Sequence, residues 1–295
     1  MQHLRIDTKI EEVAVNLLRQ SAVKLPEDVK KALKNAYKNE RTHIGKIQLK
    51  TILKNIEIAE KTNTPMCQDT GLIFFYLEAG SQFKNLEKIE RLLCKAVQRA
   101  TKEIPLRPNT VDPFMDKNTE DNVGKLIPYI HWKITEGDFL KITAFPKGGG
   151  SENACALKMM RPGDGLKAVK QFVVESVIKA GGMPCPPTII GVGIGGGSNI
   201  AMELAKQALL KPLDELNPNV EVSKIERELY EIVNKTRIGP MGLGGDTTTL
   251  AVKVEYAYRH VASYPVAVAF QCWAARRATA IIHADGKIEY ITHPT

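Results

Sequence analysis

Five cysteines stand in this chain of 295 residues, and three of them sit where chemistry is plausible. Cys67 lies in PMCQDTG, Cys185 in GMPCPPT and Cys272 in FQCWAARR, each beside residues that shape a turn or carry charge. An odd count without a secretory leader argues against a disulfide framework and points to metal binding or catalysis. The separations are long and no C-x-x-C pair occurs, which sets aside zinc ribbons and ferredoxin-like carriers. Three distant thiolates can instead hold a cubane cluster with one iron left open as a Lewis acid. Free cysteine is also a common core residue, so simple burial is the competing reading. Cys94, behind Leu93 in an amphipathic helix, and Cys155, between alanines at an expected helix start, read as small core residues.

The elements that must position these residues follow from periodicity. Ile10, Val13 and Leu17 recur at helical spacing, Pro26 with Glu27 and Asp28 resembles a helix start, and Ile44 to Ile56 form a third apolar face, so residues 1–63 are predicted mainly helical. GLIFFYLEAG (71–80) predicts a strand, followed by a helix with Leu86, Ile89, Leu92, Leu93 and Val97 inward. IPYIHWKIT and FLKITAF predict strands joined by a hairpin turn at Glu136, Gly137 and Asp138. Beyond the glycine-rich KGGGSENAC, a helix is expected over 165–180, a strand over 188–194, a helix over 198–210 and a surface connection in PLDELNPNV. A second glycine-rich stretch, IGPMGLGGDTT, precedes the strand TLAVKVEYAY, and IIHADGKIEYIT predicts a hairpin turning at Asp285 and Gly286. No repeat or low-complexity tail interrupts the chain. The expected class is α/β (mixed α+β), a helical N-terminal region followed by a sheet-containing part, within a single domain spanning 1–295.

Composition narrows the function classes. The 43% hydrophobic and 25% charged content is that of a globular protein, and no apolar run approaches the roughly 20 residues of a membrane span. The N-terminus mixes charge through its apolar positions, unlike a signal peptide, so a cytoplasmic location and no membrane association are expected. A net charge of +8 is spread without a dense basic block, which argues against a nucleic-acid partner. Steering of small anions and an ordinary lysine-rich surface account for it equally well.

The segments CQDTG (67–71), KGGGSEN (147–153), GVGIGGG (191–197), GPMGLGGDTT (239–248) and QCWAARR occur in this order. That series resembles the iron-sulfur half of class I fumarases and the related tartrate dehydratases over nearly the whole chain. The resemblance implies a 4Fe-4S cluster on Cys67, Cys185 and Cys272, with the fourth iron binding a small dicarboxylate. It further implies substrate contacts from Gln68, from Arg107 in LRPNTVDP and from the Gly150 backbone. Asp69 would be the acid and His260, in YAYRHVA, a histidine that the family presents to the active site, either its own or that of a neighbouring protomer. A planar guanidinium suits bidentate carboxylate binding, and glycine lets backbone approach an anion. In the family a second domain supplies the proposed hydroxyl base, further arginines and a lysine. The chain is therefore expected to be an α subunit completed by a separate β subunit, in a heterotetramer of two α and two β chains. The expected reaction is reversible hydration of fumarate to (S)-malate, with L-tartrate dehydration as the alternative.

A reading of another class starts from GVGIGG (191–196), which satisfies the dinucleotide-binding pattern between the strand at TII and a helix near Ser198. Asp214 is its candidate acidic partner, but it falls in a proline-bounded connection instead of at the end of a second parallel strand. His131, alternating with Tyr129 and Lys133 along one strand face, reads as structural.

Overall fold

The computed structural model describes residues 2–294, with side chains from Ile6 onward. Met1 and Thr295, the two ends of the expected domain, lie outside the described residues. In chain order the elements are α1 (Gln2–Val23), α2 (Glu27–Asn39), α3 (His43–Thr62), β1 (Leu72–Gly80), α4 (Leu86–Glu103), β2 (Val111–Asp112) and β3 (Lys117–Asn118). They continue with β4 (Tyr129–Thr135), β5 (Phe139–Lys147), α5 (Gly149–Asn153), β6 (Ala156–Met160), α6 (Gly165–Ala180), β7 (Thr188–Gly196) and α7 (Ser198–Ala208). Last come α8 (Val220–Lys235), β8 (Thr249–Arg259), β9 (Tyr264–Gln271), β10 (Ala278–His283) and β11 (Ile288–Tyr290). The fold is mixed α/β with helices leading, as the periodicity predicts.

The chain divides into two compact units, one of Met1–Glu27, Asn55–Gly148 and Arg276–Thr295, the other of Asp28–Lys54 and Gly149–Ala275. In the first, a five-stranded sheet runs in the order β11-β10-β5-β1-β4. Ile73, Phe75 and Leu77 alternate along β1 toward a core shared with Ile10, Val13 and Leu17 of α1 and Ile89, Leu93 and Val97 of α4. The period of two in the strand and the i, i+3, i+4 spacing in the helices make those faces meet.

The expected hairpin between β4 and β5 does not form. Strand β1 lies between them, parallel to β4 and antiparallel to β5. The Glu136–Asp138 turn is wrapped around the end of β1, where the Ser81 amide donates to the Thr135 carbonyl and the Gln82 amide to the Gly137 carbonyl. Glycine is required there, because a Cβ at Gly80 would meet the Gly137 oxygen at 2.3 Å. The predicted β10–β11 hairpin does form, with Ile282 opposite Ile288.

The second unit holds a four-stranded sheet in the order β6-β9-β7-β8. One face, carrying Ile190, Val192, Val252, Val254, Val266 and Val268, packs against Val169, Val173 and Val177 of α6 and Leu229 and Val233 of α8. Alternation turns Gly191 and Gly193 to the opposite face, where α7 lies directly on the strand. A Cβ on Gly193 would stand 1.9 Å from the Ala201 carbonyl, and one on Gly191 2.0 Å from that of Ala205. Gly191 and Gly193 of GVGIGG are thus used by helix-on-strand packing inside β7. β6, α8 and β9 have no counterpart among the elements predicted from the sequence, and Cys155 precedes a strand, not a helix.

Candidate active site

Strand polarity decides which loops share a sheet end. In the first unit β1 starts opposite the end of β5, Leu72 facing Lys147, and β10 starts beside it, Ala278 facing Ala144. The Cys67–Gly71 turn, Lys147–Gly148 and Arg276–Arg277 therefore gather at one end. Gln68 is exposed there, while Cys67 and Asp69 are half-buried. The Gly71 amide donates to Asp69 Oδ1 at 3.0 Å, closing the turn, and Asn109 Nδ2 reaches the same oxygen at 3.5 Å. Arg276 Nη1 donates to the Asp69 carbonyl at 2.7 Å. The exposed Arg107 is anchored by its backbone, its carbonyl accepting from Thr70 Oγ1 at 3.3 Å and Asn122 Nδ2 at 3.2 Å. Lys147, Arg276 and Arg277 are buried cations at this end, at 1%, 1% and 7% exposure. Burying charge is unfavourable unless a partner compensates it.

In the second unit the starts of β7 and β8 and the end of β9 share one end, with Ile189 facing Gln271. Cys185, just before β7, and Cys272, just after β9, are joined there by a hydrogen bond from the Trp273 amide to the Cys185 carbonyl at 3.1 Å. Cys185 has φ +51, a conformation unfavourable for a residue with a Cβ and of the kind that collects at functional sites. Gly150, in the first turn of α5, abuts this segment so closely that a Cβ would lie 2.6 Å from the Met183 carbonyl. The glycine-rich 239–245 loop also meets it, since the Met241 amide donates to the Pro186 carbonyl at 2.7 Å and Gly242 packs on Gly182.

That loop is tied down by a residue the sequence does not single out. Glu40, 1% exposed, accepts through Oε1 from the Thr42 amide at 3.0 Å, the Thr42 hydroxyl at 2.8 Å and the Asp246 amide at 3.1 Å. Its Oε2 accepts from the Asp246 and Thr247 amides at 2.9 and 3.3 Å. Burial raises the Glu40 pKa, but the bonds from Thr42 and Asp246 outweigh it and hold the carboxyl below its ordinary value. Asp246 is held low by its hydrogen bonds with the Arg41 guanidinium.

His260 does not join this end. It follows β8 in the turn leading to β9, exposed, with Nδ1 accepting from the Ala262 amide at 3.1 Å. The eight residues of β9 put about 26 Å of strand between that turn and Cys272. Cys67, Cys185 and Cys272 are half-buried. Among the described residues no three His, Cys, Asp or Glu side chains form a group able to hold a metal ion. Two of the three expected thiols share one end of one unit's sheet, and the third sits at a sheet end of the other unit. Cys94 and Cys155 are half-buried, and burial raises the pKa of Cys94, which makes it a poor thiolate.

No described helix is long and apolar enough to cross a membrane. The family model for fumarate hydratase (Fumerase) matches residues 11–281. The chain is 47% identical over 284 residues to a putative L(+)-tartrate dehydratase subunit alpha of Methanocaldococcus jannaschii, covering 95% of this chain and 100% of that protein. It is 36% identical over 286 residues to the L(+)-tartrate dehydratase subunit alpha of Escherichia coli, covering 97% of this chain and 94% of that one, and 35% identical over the same length to that of Shigella sonnei. With its cysteines, glycine-rich turns and buried cations at the sheet ends, and with a match over nearly its full length, the chain belongs to the fumarate hydratase (Fumerase) family.

Proposed function

We propose that the chain is the α subunit of a cytoplasmic 4Fe-4S hydro-lyase that hydrates fumarate to (S)-malate, completed by a β subunit in a heterotetramer of two α and two β chains. The observation that carries the reading is the convergence of Cys185, Cys272, Gly150 and the 239–245 loop on one sheet end in a member of this family. The relatives' designation as subunit alpha, over nearly equal length, supports a separate β partner. Cys67, Cys185 and Cys272 would hold the cluster, which when bound would supply Lewis-acid chemistry toward the substrate. Arg107 would fork one substrate carboxylate, with the Gln68 amide and the Gly150 N–H as further donors. Asp69 would exchange a proton with the substrate carbon, a contribution of roughly 10² to 10⁴ in rate for a positioned acid or base. His260, at the far end of its own sheet, is assigned to the site of a neighbouring protomer.

The relatives' printed names favour L-tartrate dehydration as the second reading. Competing kcat/KM measurements on the reconstituted αβ enzyme, with fumarate and L-tartrate, decide between them. A higher value for tartrate moves the assignment to the second reading, and full turnover by the α chain alone defeats the half-site. Serine at Cys67, Cys185 or Cys272 is expected to abolish iron and sulfide incorporation, whereas serine at Cys94 or Cys155 leaves it intact.

A further inference from the structure

Arg276 is among the largest fully buried side chains, yet its guanidinium makes no ion pair among the described residues. Its Nη1 donates to the backbone carbonyl of Asp69 at 2.7 Å, and its Nε is buried without a hydrogen-bond partner. Both Arg276 and the Asp69 carboxylate lean on Gly148. A Cβ there would lie 3.1 Å from Asp69 Oδ2 and 3.6 Å from Arg276 Nη2, so the missing side chain lets both approach the same backbone. Asp69 Oδ1 is engaged by the Gly71 amide at 3.0 Å. The carboxylate is therefore oriented from the turn side through Oδ1 and from the sheet side through its own carbonyl.

We propose that Arg276 is a positioning residue, one that locks the Cys67–Gly71 turn through the Asp69 carbonyl and so aims the Asp69 carboxylate. The functional half of this rests on the acid role assigned to Asp69 above. A buried guanidinium suits the task because it stays charged and makes a strong, directional bond that water does not displace. The Nη1 of Arg276 makes this bond to the Asp69 carbonyl.

Two measurements test it. Hydrogen–deuterium exchange of the α chain reads the Gly71 amide directly. Arg276→Met is expected to speed its exchange about tenfold or more, the weight of one charge-assisted hydrogen bond, while β7 in the other unit stays protected. Arg276→Lys, which keeps charge and one donor, is expected to restore most of the protection. Unchanged exchange at Gly71, or a uniform rise across both units, overturns the proposal. If Arg276→Met does not fold, Gly148→Ala, which presses a methyl group on Oδ2, is read in the same way.

The second measurement is a double-mutant cycle on the αβ enzyme. Arg276→Met is expected to lower kcat about tenfold with KM nearly unchanged, and to add nothing in the Asp69→Asn background. Multiplying effects overturn action through Asp69. Near-normal turnover by Asp69→Asn alone removes the acid role instead, and the exchange result then still decides whether Arg276 holds the turn.

Discussion

Replacing Glu40 should unlatch the glycine-rich loop beside Cys185, by an amount that follows from the bonds removed. Glu40→Ala leaves the amides of Thr42, Asp246 and Thr247 and the Thr42 hydroxyl without their acceptor. At about 1–3 kcal/mol for each buried donor left unpaired, less what entering water recovers, the loss is about 3–5 kcal/mol. That is a large share of the roughly 5–15 kcal/mol that holds a folded chain together. Glu40→Gln keeps the shape but turns one acceptor into a donor, for a loss of about 2 kcal/mol. The sign of the pH dependence follows from the lowered pKa. Unfolded Glu40 binds a proton at a higher pH than the folded residue, so its contribution is fully present above about pH 5 and is lost as pH falls through the folded value. Asp246, also held low, adds to the same acid loss. Urea unfolding followed by circular dichroism should rank wild type, Gln and Ala in that order at pH 7, with equal m values. The gap between wild type and Gln should narrow toward pH 4. A Gln variant within about 0.5 kcal/mol of wild type at pH 7, or an unchanged gap in acid, would refute the latch, since even one net hydrogen bond is worth about that much.

Gly193→Ala puts a methyl group 1.9 Å from the Ala201 carbonyl, so α7 must lift off β7. The expected destabilisation is about 1–3 kcal/mol, read as a lower thermal midpoint, with a larger effect if the helix cannot move. Asn219 caps α8, its Oδ1 accepting from the Glu221 and Val222 amides at 3.0 and 3.3 Å, and Asn219→Ala should cost about 1 kcal/mol in urea unfolding.

Local rules were legible wherever one element used one period. Of the expected inward positions of α4, Ile89, Leu92, Leu93 and Val97 are buried and Leu86 is half-buried, and the β10–β11 turn forms at Asp285 and Gly286. They failed where pairing was non-local. Glu136-Gly137-Asp138 has a hairpin's composition, but a strand some sixty residues earlier fills the gap, and turn chemistry carries no record of that. GVGIGG reads as a phosphate cradle in one dimension and as a bed for α7 in three. The difference lies in the carbonyls of Ala201 and Ala205, which only the folded unit brings to the glycines.

Cys67, Cys185 and Cys272 stand out in the chain by their turn-forming and charged neighbours, whereas Gln68, Asp69, Arg107 and Gly150 acquire roles only through the resemblance of their segments to a family. The family, too, is written in the order of those segments. Glu40 was invisible at that level, and Lys147 and Arg276 carried no role even inside KGGGSEN and QCWAARR, since a charged residue reads as solvated surface until its burial is known. Strand polarity alone decided that Cys185 and Cys272 share a sheet end while His260 is carried to the other. Sequence determines which residue types are present and how each stretch prefers to fold, through interactions within a few residues. Tertiary structure decides which distant stretches become neighbours, because only sheet pairing and core burial bring a carboxylate at position 40 to amides at 246 and 247, or a guanidinium at 276 to a carbonyl at 69.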